Sequence, residues 1–303
     1  VRRILIIRLG ALGDFCNSFP AFAALRAHHA HDRITLLTTP PFVSLALDSP
    51  WFDQVRVDAR PAWLDLAGLW RLRAQLRGFD FVYDLQTSRR SARYFWLAGR
   101  PAWSGVAGGC SHPDRNPARG ALPTLARQRA QLAVAGVSPV VPDLGWLAGA
   151  GPRIAAPYAV LVPATSGAHG GAKQWPVERF AALASRLAAR GITPVVVGEA
   201  AAGIPAGVDL AGKTDLQALA GLLHRAAVAV GGDTGPIHLA GIMGCRTVAL
   251  FSRFSDPANA RPEGPCTVLR AARLDEIGVD EVMQAIKEAG GDEAVPPGPP
   301  GFT

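Results

Sequence analysis

Arg3-Ile4-Leu5-Ile6-Ile7-Arg8-Leu9-Gly10-Ala11-Leu12-Gly13-Asp14 is an apolar run that empties through a glycine turn onto a single carboxylate, and the Ala-rich segment Phe15–His29 follows it. A short apolar run leading through a Gly turn into a helical segment is the unit from which buried parallel sheets are built. Outward from this point the unit recurs. In the first half Ile34–Thr39, Gln54–Asp58, Phe81–Leu85 and Ser104–Ala107 read as strands, with helices at Trp63–Arg77, Ser88–Ala98 and near Leu122–Ala135. In the second half strands Ala159–Val162, Thr193–Val197, Ala227–Val230, Thr247–Phe251 and Thr267–Leu269 alternate with helices Val177–Ala189, Asp215–Leu223, Pro236–Met243 and Asp275–Glu288. This alternation over 303 residues predicts an α/β protein of two Rossmann-like parallel-sheet domains facing a central cleft. The Pro- and Gly-rich run Ser138–Pro157 marks the break, giving an N-terminal domain at 1–140, a linker at 141–157 and a C-terminal domain at 158–292. The Pro/Gly-rich tail, 293–303, is expected to be disordered.

Composition removes several classes. Apolar runs fall far short of the ~20 residues that cross a bilayer, and the N-terminus lacks the pattern of a secretory signal. Cys16, Cys110, Cys245 and Cys266 are scattered with no CxxC, so neither a disulfide framework nor a zinc site is indicated. A cytoplasmic protein is expected. The net charge of +7 is uneven: residues 1–150 hold 18 Arg against 10 Asp/Glu, residues 151–303 hold 13 Arg/Lys against 14 Asp/Glu. The excess therefore sits in the first half and points to an anionic partner there. Nucleic acid is not that partner by this reading, since no recognised module or interleaving of aromatic and basic residues accompanies the charge.

Three loops carry the chemistry. In open parallel sheets ligands bind at the carboxyl ends of strands, so the turn ending in Asp14 borders a site. Its GxxGD spacing is not the GxGxxG of dinucleotide binding. Asp14 is the one carboxylate placed to act there, or else a first-turn acid complementing the helix dipole. The stretch Pro163–Pro176 offers Thr165, Ser166, several glycines and Lys173, a set suited to a phosphate or diphosphate, without the order of a Walker A loop. Gly231-Gly232-Asp233-Thr234-Gly235-Pro236-Ile237-His238 follows a strand and opens a short helix, again an anion-binding end, with Pro236 expected at its first position. Asp233 there suits sugar hydroxyls or loop ordering, and His238 suits a phosphate or a buried carbonyl. Glu199, just past a strand, suits ribose hydroxyls. On the helix Ser88–Ala98, Arg89 and Arg93, with Arg100 at its end, lie within about 40° of one another. Together with Arg71, Arg73 and Arg77 they form a candidate anchor for an acidic ligand, and Trp63, Trp70 and Trp96 are candidates for contact with a membrane interface or for core positions. The cluster His28, His29 and His31 reads as the end of a helix and not as a metal site.

Arg3–Asp14 with Pro20 after it, Lys173-Gln-Trp-Pro-Val-Glu-Arg-Phe, and Asp233-Thr-Gly-Pro-Ile-His followed by Thr247-Val-Ala-Leu-Phe resemble glycosyltransferase family 9, the ADP-heptose:lipopolysaccharide heptosyltransferases of the GT-B fold. The resemblance spans roughly residues 3–290. It implies an inverting transfer of a heptose or related sugar from an ADP-sugar to a lipopolysaccharide core or similar acidic, lipid-linked surface glycan, with peripheral contact to the cytoplasmic membrane face. It also implies Asp14 as catalytic base, Thr165, Ser166, Lys173, Thr234 and Gly235 on the donor diphosphate, Glu199 on the ribose, and Asp233 and His238 near the sugar and phosphates. Arg89, Arg93 and Arg100 are the acceptor candidates. No cofactor and no essential metal are expected, since no DxD pair sits in the diphosphate loops. A non-catalytic nucleotide- or glycan-binding protein and a GT-B nucleotide-sugar epimerase are the alternatives on the same scaffold. The sequence departs from the family's pattern at Ala164, in the length of the loop before Lys173, and at Ser252-Arg253-Phe254-Ser255-Asp256-Pro257.

Overall fold

A computed structural model describes residues 1–163, 174–199, 203–204 and 207–290. Thr165, Ser166 and Lys173, and the tail read at 293–303, lie outside the described residues. The chain divides into two units, Val1–Asp143 and Leu144–Thr303.

The first unit contains β1 (Arg3–Ile7), α1 (Leu12–Cys16), α2 (Phe19–His28), β2 (Arg33–Thr38), α3 (Val43–Leu47) and β3 (Gln54–Val57). It continues with α4 (Leu66–Leu76), β4 (Phe81–Asp84), α5 (Arg89–Ala98), β5 (Ala102–Gly105), β6 (His112–Pro113) and α6 (Thr124–Val134). All its strands pair in parallel, in the order β3-β2-β1-β4-β5-β6. Ile4–Ile7 are fully buried, which is why β1 reads as a continuous apolar run: a central parallel strand is covered on both faces. On one face Leu5, Ile7 and Val82 pack with Leu72 and Leu76 of α4 and Tyr94 and Phe95 of α5. Phe15, Phe19, Phe22, Phe42 and Trp51 form a separate aromatic cluster, Phe15 stacking on Phe42 at 4.4 Å.

The segment expected to be one helix over Phe15–His29 is two. Pro20 lies in the first turn of α2 and has no N–H to extend the earlier turn, so α1 closes at Cys16 and the chain restarts at Phe19. The Ser88–Ala98 prediction matches α5, opened by reciprocal Ser88 and Ser91 capping bonds and closed by Gly99 at φ +90°.

The second unit contains α7 (Gly145–Ala148), β7 (Tyr158–Val162), α8 (Val177–Ala188), β8 (Thr193–Val196), β9 (Val208–Asp209) and α9 (Leu216–His224). Then follow β10 (Val228–Gly232), α10 (Gly235–Ile242), β11 (Thr247–Phe251), α11 (Pro257–Ala260), β12 (Cys266–Arg270) and α12 (Val279–Glu288). Its strands are again all parallel, in the order β12-β11-β10-β7-β8-β9. From Leu144 on, the residues read as linker carry structure of their own: Arg225, just past α9, donates to the carbonyls of Ala148, Ala150 and Pro152. Trp175 and Phe180 anchor the entry to α8 in the core, with rings 4.8 Å apart and the indole N–H of Trp175 donating to the Ile277 carbonyl at 3.0 Å. Among the described residues, no helix is long and apolar enough to cross a membrane.

Candidate functional site

Strand order locates the sites before any side chain is considered. In each sheet one strand starts an excursion to one side while a later strand lies on its other side, and ligands bind where the connections diverge. In the first unit that switch point lies between β1 and β4, at the loops holding Asp14 and Leu85–Ser88. In the second it lies between β7 and β10, at the loops holding Pro163 and Asp233. The predicted motifs after β1 and β10 thus fall at the switch point of their own sheet, and Pro163, which opens the one after β7, lies there too.

Asp14 sits in the single turn of α1, its side chain 44% exposed. Arg8, only 4% exposed, lies 3.3 Å from Asp14 Oδ1 through Nη2 and donates to the Asp14 carbonyl from Nη2 at 2.7 Å. Its Nη1 donates to the Leu85 carbonyl at 2.6 Å, which ties the turn after β1 to the turn after β4. Thr124 Oγ1, at the start of α6, donates to Asp14 Oδ1 at 2.9 Å, and Arg127 Nη2 donates to that hydroxyl. The carboxylate is held from both flanks while nearly half its surface faces an open cavity. Gly10 permits this close turn. Its φ is +109°, and a Cβ there would stand 2.8 Å from the Phe42 ring.

That cavity, about 720 Å3, is lined by Leu9, Gly10, Asp14, Phe42, Arg60 and Gln86 among others. Arg60, at φ +50°, is the lining cation: its Nη2 donates to the Leu9 carbonyl at 2.9 Å and its backbone N–H to Asp58 Oδ1. Asp58 is buried and takes a second hydrogen bond from Tyr94 at 2.6 Å. Arg60, Arg8 and Thr124 are site residues to which the sequence reading gave no role. Arg89, Arg93 and Arg100 are exposed and do not line the cavity; Arg93 lies over the Trp63 ring and Arg100 over the Trp96 ring.

Behind the turn, Asp84 ends β4 in full burial, and that burial pushes its carboxyl up to about 6, against the pull of the Thr87 N–H and of Arg8. The folded chain therefore holds this proton to higher pH than the unfolded chain, whose carboxyl titrates near 4. Folding takes up a proton between those two values, so stability falls across that window as pH rises. Above it stability is lower by a constant of about 3 kcal/mol. Asp84→Asn, which has no proton to lose, is expected to flatten this slope in urea unfolding measured between about pH 4 and 7.

In the second unit, β10 enters its loop through Gly231, where a Cβ would meet Val162 at 2.9 Å and Ile237 at 3.0 Å. Asp233 is half-buried, with Oδ1 3.1 Å from His238 Nε2 and Oδ2 accepting from the Ser255 hydroxyl. Ser255 belongs to the segment that departs from the family pattern, and it takes part in ordering this loop. Thr234 occupies the N-cap position of α10 without a side-chain capping bond, and its buried hydroxyl makes no hydrogen bond among the described residues. Gly235 is the first helical residue and Pro236 the second, one position later than expected. Pro176 occupies the N-cap of α8. Glu199 is exposed in the loop that follows β8. A cavity of about 390 Å3 is lined by Gln174, Pro176, Arg253, Phe254 and Arg273 among others, so two further cations stand beside the residue that follows Lys173 in sequence. The described residues contain no group of three or more His, Cys, Asp or Glu able to hold a metal ion.

Two parallel six-stranded Rossmann-like sheets in one chain, each with its loop motifs at the switch point, define the GT-B class of folds. The profile of glycosyltransferase family 9 (heptosyltransferase) matches residues 121–269, and the resemblance read from the motifs is borne out. A Haemophilus influenzae protein named "Putative glycosyltransferase" is 30% identical over 101 residues, 33% of this chain and 29% of that protein; the match thus spans under a third of the relative's length. The structure of E. coli heptosyltransferase WaaC with ADP is similar at TM-score 0.78 and 22% identity, covering 95% of this chain and 99% of that one. A family 9 glycosyltransferase of Veillonella parvula is similar at TM-score 0.77 and 19% identity, covering 95% and 97%. At these identities the structural likeness is one of fold.

Proposed function

We propose that the chain is an inverting glycosyltransferase that moves a heptose or related sugar from an ADP-sugar to a lipopolysaccharide core or similar surface-glycan acceptor. The observation that supports this reading is a carboxylate held by Arg8 and Thr124 at one switch point and a helix N-terminus with an unbonded threonine hydroxyl at the other. Asp14 takes the proton from an acceptor hydroxyl as that oxygen attacks the anomeric carbon. Arg8 and Thr124 hold the carboxylate in place, and Arg60 meets an acidic group of the acceptor in the same cavity. Arg89, Arg93 and Arg100 serve more distant acidic groups of a lipid-linked acceptor.

On the second unit, Thr165, Ser166, Lys173, the Thr234 hydroxyl and the Gly235 N–H take the donor diphosphate and stabilise the charge it gains on leaving, without an essential metal. Glu199 accepts from the ribose. Asp233, ordered by His238 and Ser255, stands near the transferred sugar. The buried, unbonded Thr234 hydroxyl supports this assignment, because a donor at a helix N-terminus is satisfied when a phosphate oxygen arrives.

Titration calorimetry against ADP, UDP and GDP tests the reading. ADP is expected to bind in preference, and Thr234→Val is expected to weaken it about fivefold to tenfold, the loss of one hydrogen bond. Absence of nucleotide binding overturns the reading. Turnover of the nucleotide sugar without acceptor favours an epimerase.

A further inference from the structure

Strand order leaves one stretch of the second sheet's carboxyl edge without a role. Along β9-β8-β7-β10-β11-β12, Glu199 follows β8, and the loops holding Pro163 and Asp233 follow β7 and β10. The residues assigned to ribose and diphosphate thus take up the first part of this edge. The loops after β11 and β12 continue it on the side away from Glu199, two strand spacings or about 10 Å further on. Arg253 and Phe254 from the first of these loops, and Arg273 and Asp275 from the second, line the cavity of about 390 Å3 that Gln174 and Pro176 complete. Two links join this cavity to the donor loops. Gln174 directly follows Lys173, and Ser255, next to Phe254, donates its hydroxyl to Asp233.

The lining is cationic and aromatic. Arg273 and Asp275 hold each other through Nε to Oδ1 at 3.0 Å and Nη2 to Oδ2, so their charges offset, and Arg273 retains Nη1 as a donor. Arg253 is the unbalanced charge. Its guanidinium makes no hydrogen bond or ion pair to the described residues and stands 4.9 Å from the centre of the Phe254 ring, which is itself 52% exposed. A ring of this kind covers the apolar face of a pyranose, while a guanidinium takes a carboxylate or phosphate through two parallel N–H donors. A bare anion would leave the ring in water, and a neutral sugar would leave Arg253 without a counter-charge. A nucleobase would also stack on the ring, but Glu199, read as the ribose partner, lies towards the opposite end of the edge. Arg253 and Phe254 both lie in Ser252–Pro257, where this chain departs from the pattern of glycosyltransferase family 9.

We propose that Arg253, Phe254 and Arg273 form a subsite for an anionic sugar, a pyranose bearing a phosphate or carboxylate, beside the nucleotide. The assignment rests on the reading of the β7 and β10 loops as the donor diphosphate site.

The experiment is titration calorimetry of the full chain with glucose 6-phosphate, glucuronate, glucose and inorganic phosphate. Each is added to the chain alone, to the chain saturated with ADP, and to the chain saturated with ADP-glucose. The two anionic sugars are expected to bind at least about tenfold more tightly than glucose or phosphate, with ADP present as without it. Arg253→Ala is expected to weaken glucose 6-phosphate by about tenfold or more, and Phe254→Ser by about fivefold. Melting temperature and ADP affinity are expected to stay unchanged in both, since the two side chains are exposed and outside the set assigned to the diphosphate. The nucleotide arms identify the source of the anionic sugar. Exclusion of glucose 6-phosphate by ADP-glucose but not by ADP assigns the subsite to the transferred sugar, and joint binding with ADP-glucose assigns it to a sugar of the acceptor. Four results overturn the proposal: no binding of either anionic sugar, glucose or inorganic phosphate binding as tightly as glucose 6-phosphate, displacement of glucose 6-phosphate by ADP alone, or unchanged affinity in Arg253→Ala. The comparison of glucose with glucose 6-phosphate on the parent chain decides without any variant. Failure of ADP to bind counts against the donor reading instead, and the titrations of the chain alone then decide the subsite.

Discussion

Asp14→Ala is expected to lower the rate of sugar transfer by about a thousandfold, within the range that a positioned general base supplies. ADP affinity is expected to be unchanged, because the residues assigned to the diphosphate all lie in the second unit. The fold should tolerate the change: the carboxylate is 44% exposed, and its removal leaves the Thr124 hydroxyl next to open cavity and not sealed in the core. Asp14→Asn sharpens the test. The amide keeps the shape and an acceptor oxygen for Thr124 but has no basicity, so a rate as low as that of the alanine variant assigns the loss to proton transfer and not to positioning. Steady-state rates on an acceptor glycan, with calorimetry of ADP binding on the same samples, separate the two effects. An unchanged rate sinks the assignment of Asp14 as base, whereas ADP binding without transfer by the parent chain favours the silent binding protein.

Much of this site was legible because its signals are local. A buried parallel strand has to be apolar along its length, so β1, β7, β10 and β11 stand out as runs ending in glycine or polar loops. The loops that follow inherit their place at the sheet's carboxyl edge from that alternation alone. The break between α1 and α2 was also written locally, in Pro20, but the apolar pattern on either side of it is continuous enough to hide it. The two-residue strands β6 and β9 carry too little pattern to be seen. β5 was read two residues late because Gly105, Val106 and Ala107 continue an apolar run past the last paired position.

What was hidden depends on the sheet's closure in space. Arg60 gives no sign in sequence of lining the Asp14 cavity. It does so because β3 is placed beyond β2, which brings the loop after β3 to within 2.9 Å of the Leu9 carbonyl. Thr124 reaches Asp14 across 110 positions of chain. Arg8 was in plain view in the decisive stretch, yet its partners Leu85 and Asp84 come from β4 and its turn, adjacent to β1 only once the crossover has formed.

Arg8 is accordingly the residue whose loss reaches both stability and activity. Its guanidinium is buried, and that burial works to lower its pKa while Asp14 and Asp84 counter it. It donates to the carbonyls of Asp14 and Leu85, and it stands as counter-charge to a carboxyl sealed within the sheet. Arg8→Met keeps most of the aliphatic volume and removes every one of these interactions, leaving the Leu85 carbonyl short of a donor, the Asp14 carbonyl with the Ser18 hydroxyl in place of three donors, and Asp84 without this cation. Removing one partner of a buried charged set costs about 3–5 kcal/mol, far more than the set contributes relative to an apolar replacement of all its members. A drop in melting temperature of roughly 6–15 °C is expected for a chain of this size. Asp14→Ala serves as the contrast, with a loss of about 1 kcal/mol or less, the scale of one partly exposed hydrogen bond. Below its melting transition the Arg8 variant should also transfer sugar about tenfold to a hundredfold more slowly, because Asp14 is then held by Thr124 alone. Thermal unfolding followed by circular dichroism, read beside transfer rates at a temperature where both variants are folded, distinguishes the outcomes. An Arg8→Met protein as stable as the parent would show that the turns after β1 and β4 are tied together by something other than this guanidinium.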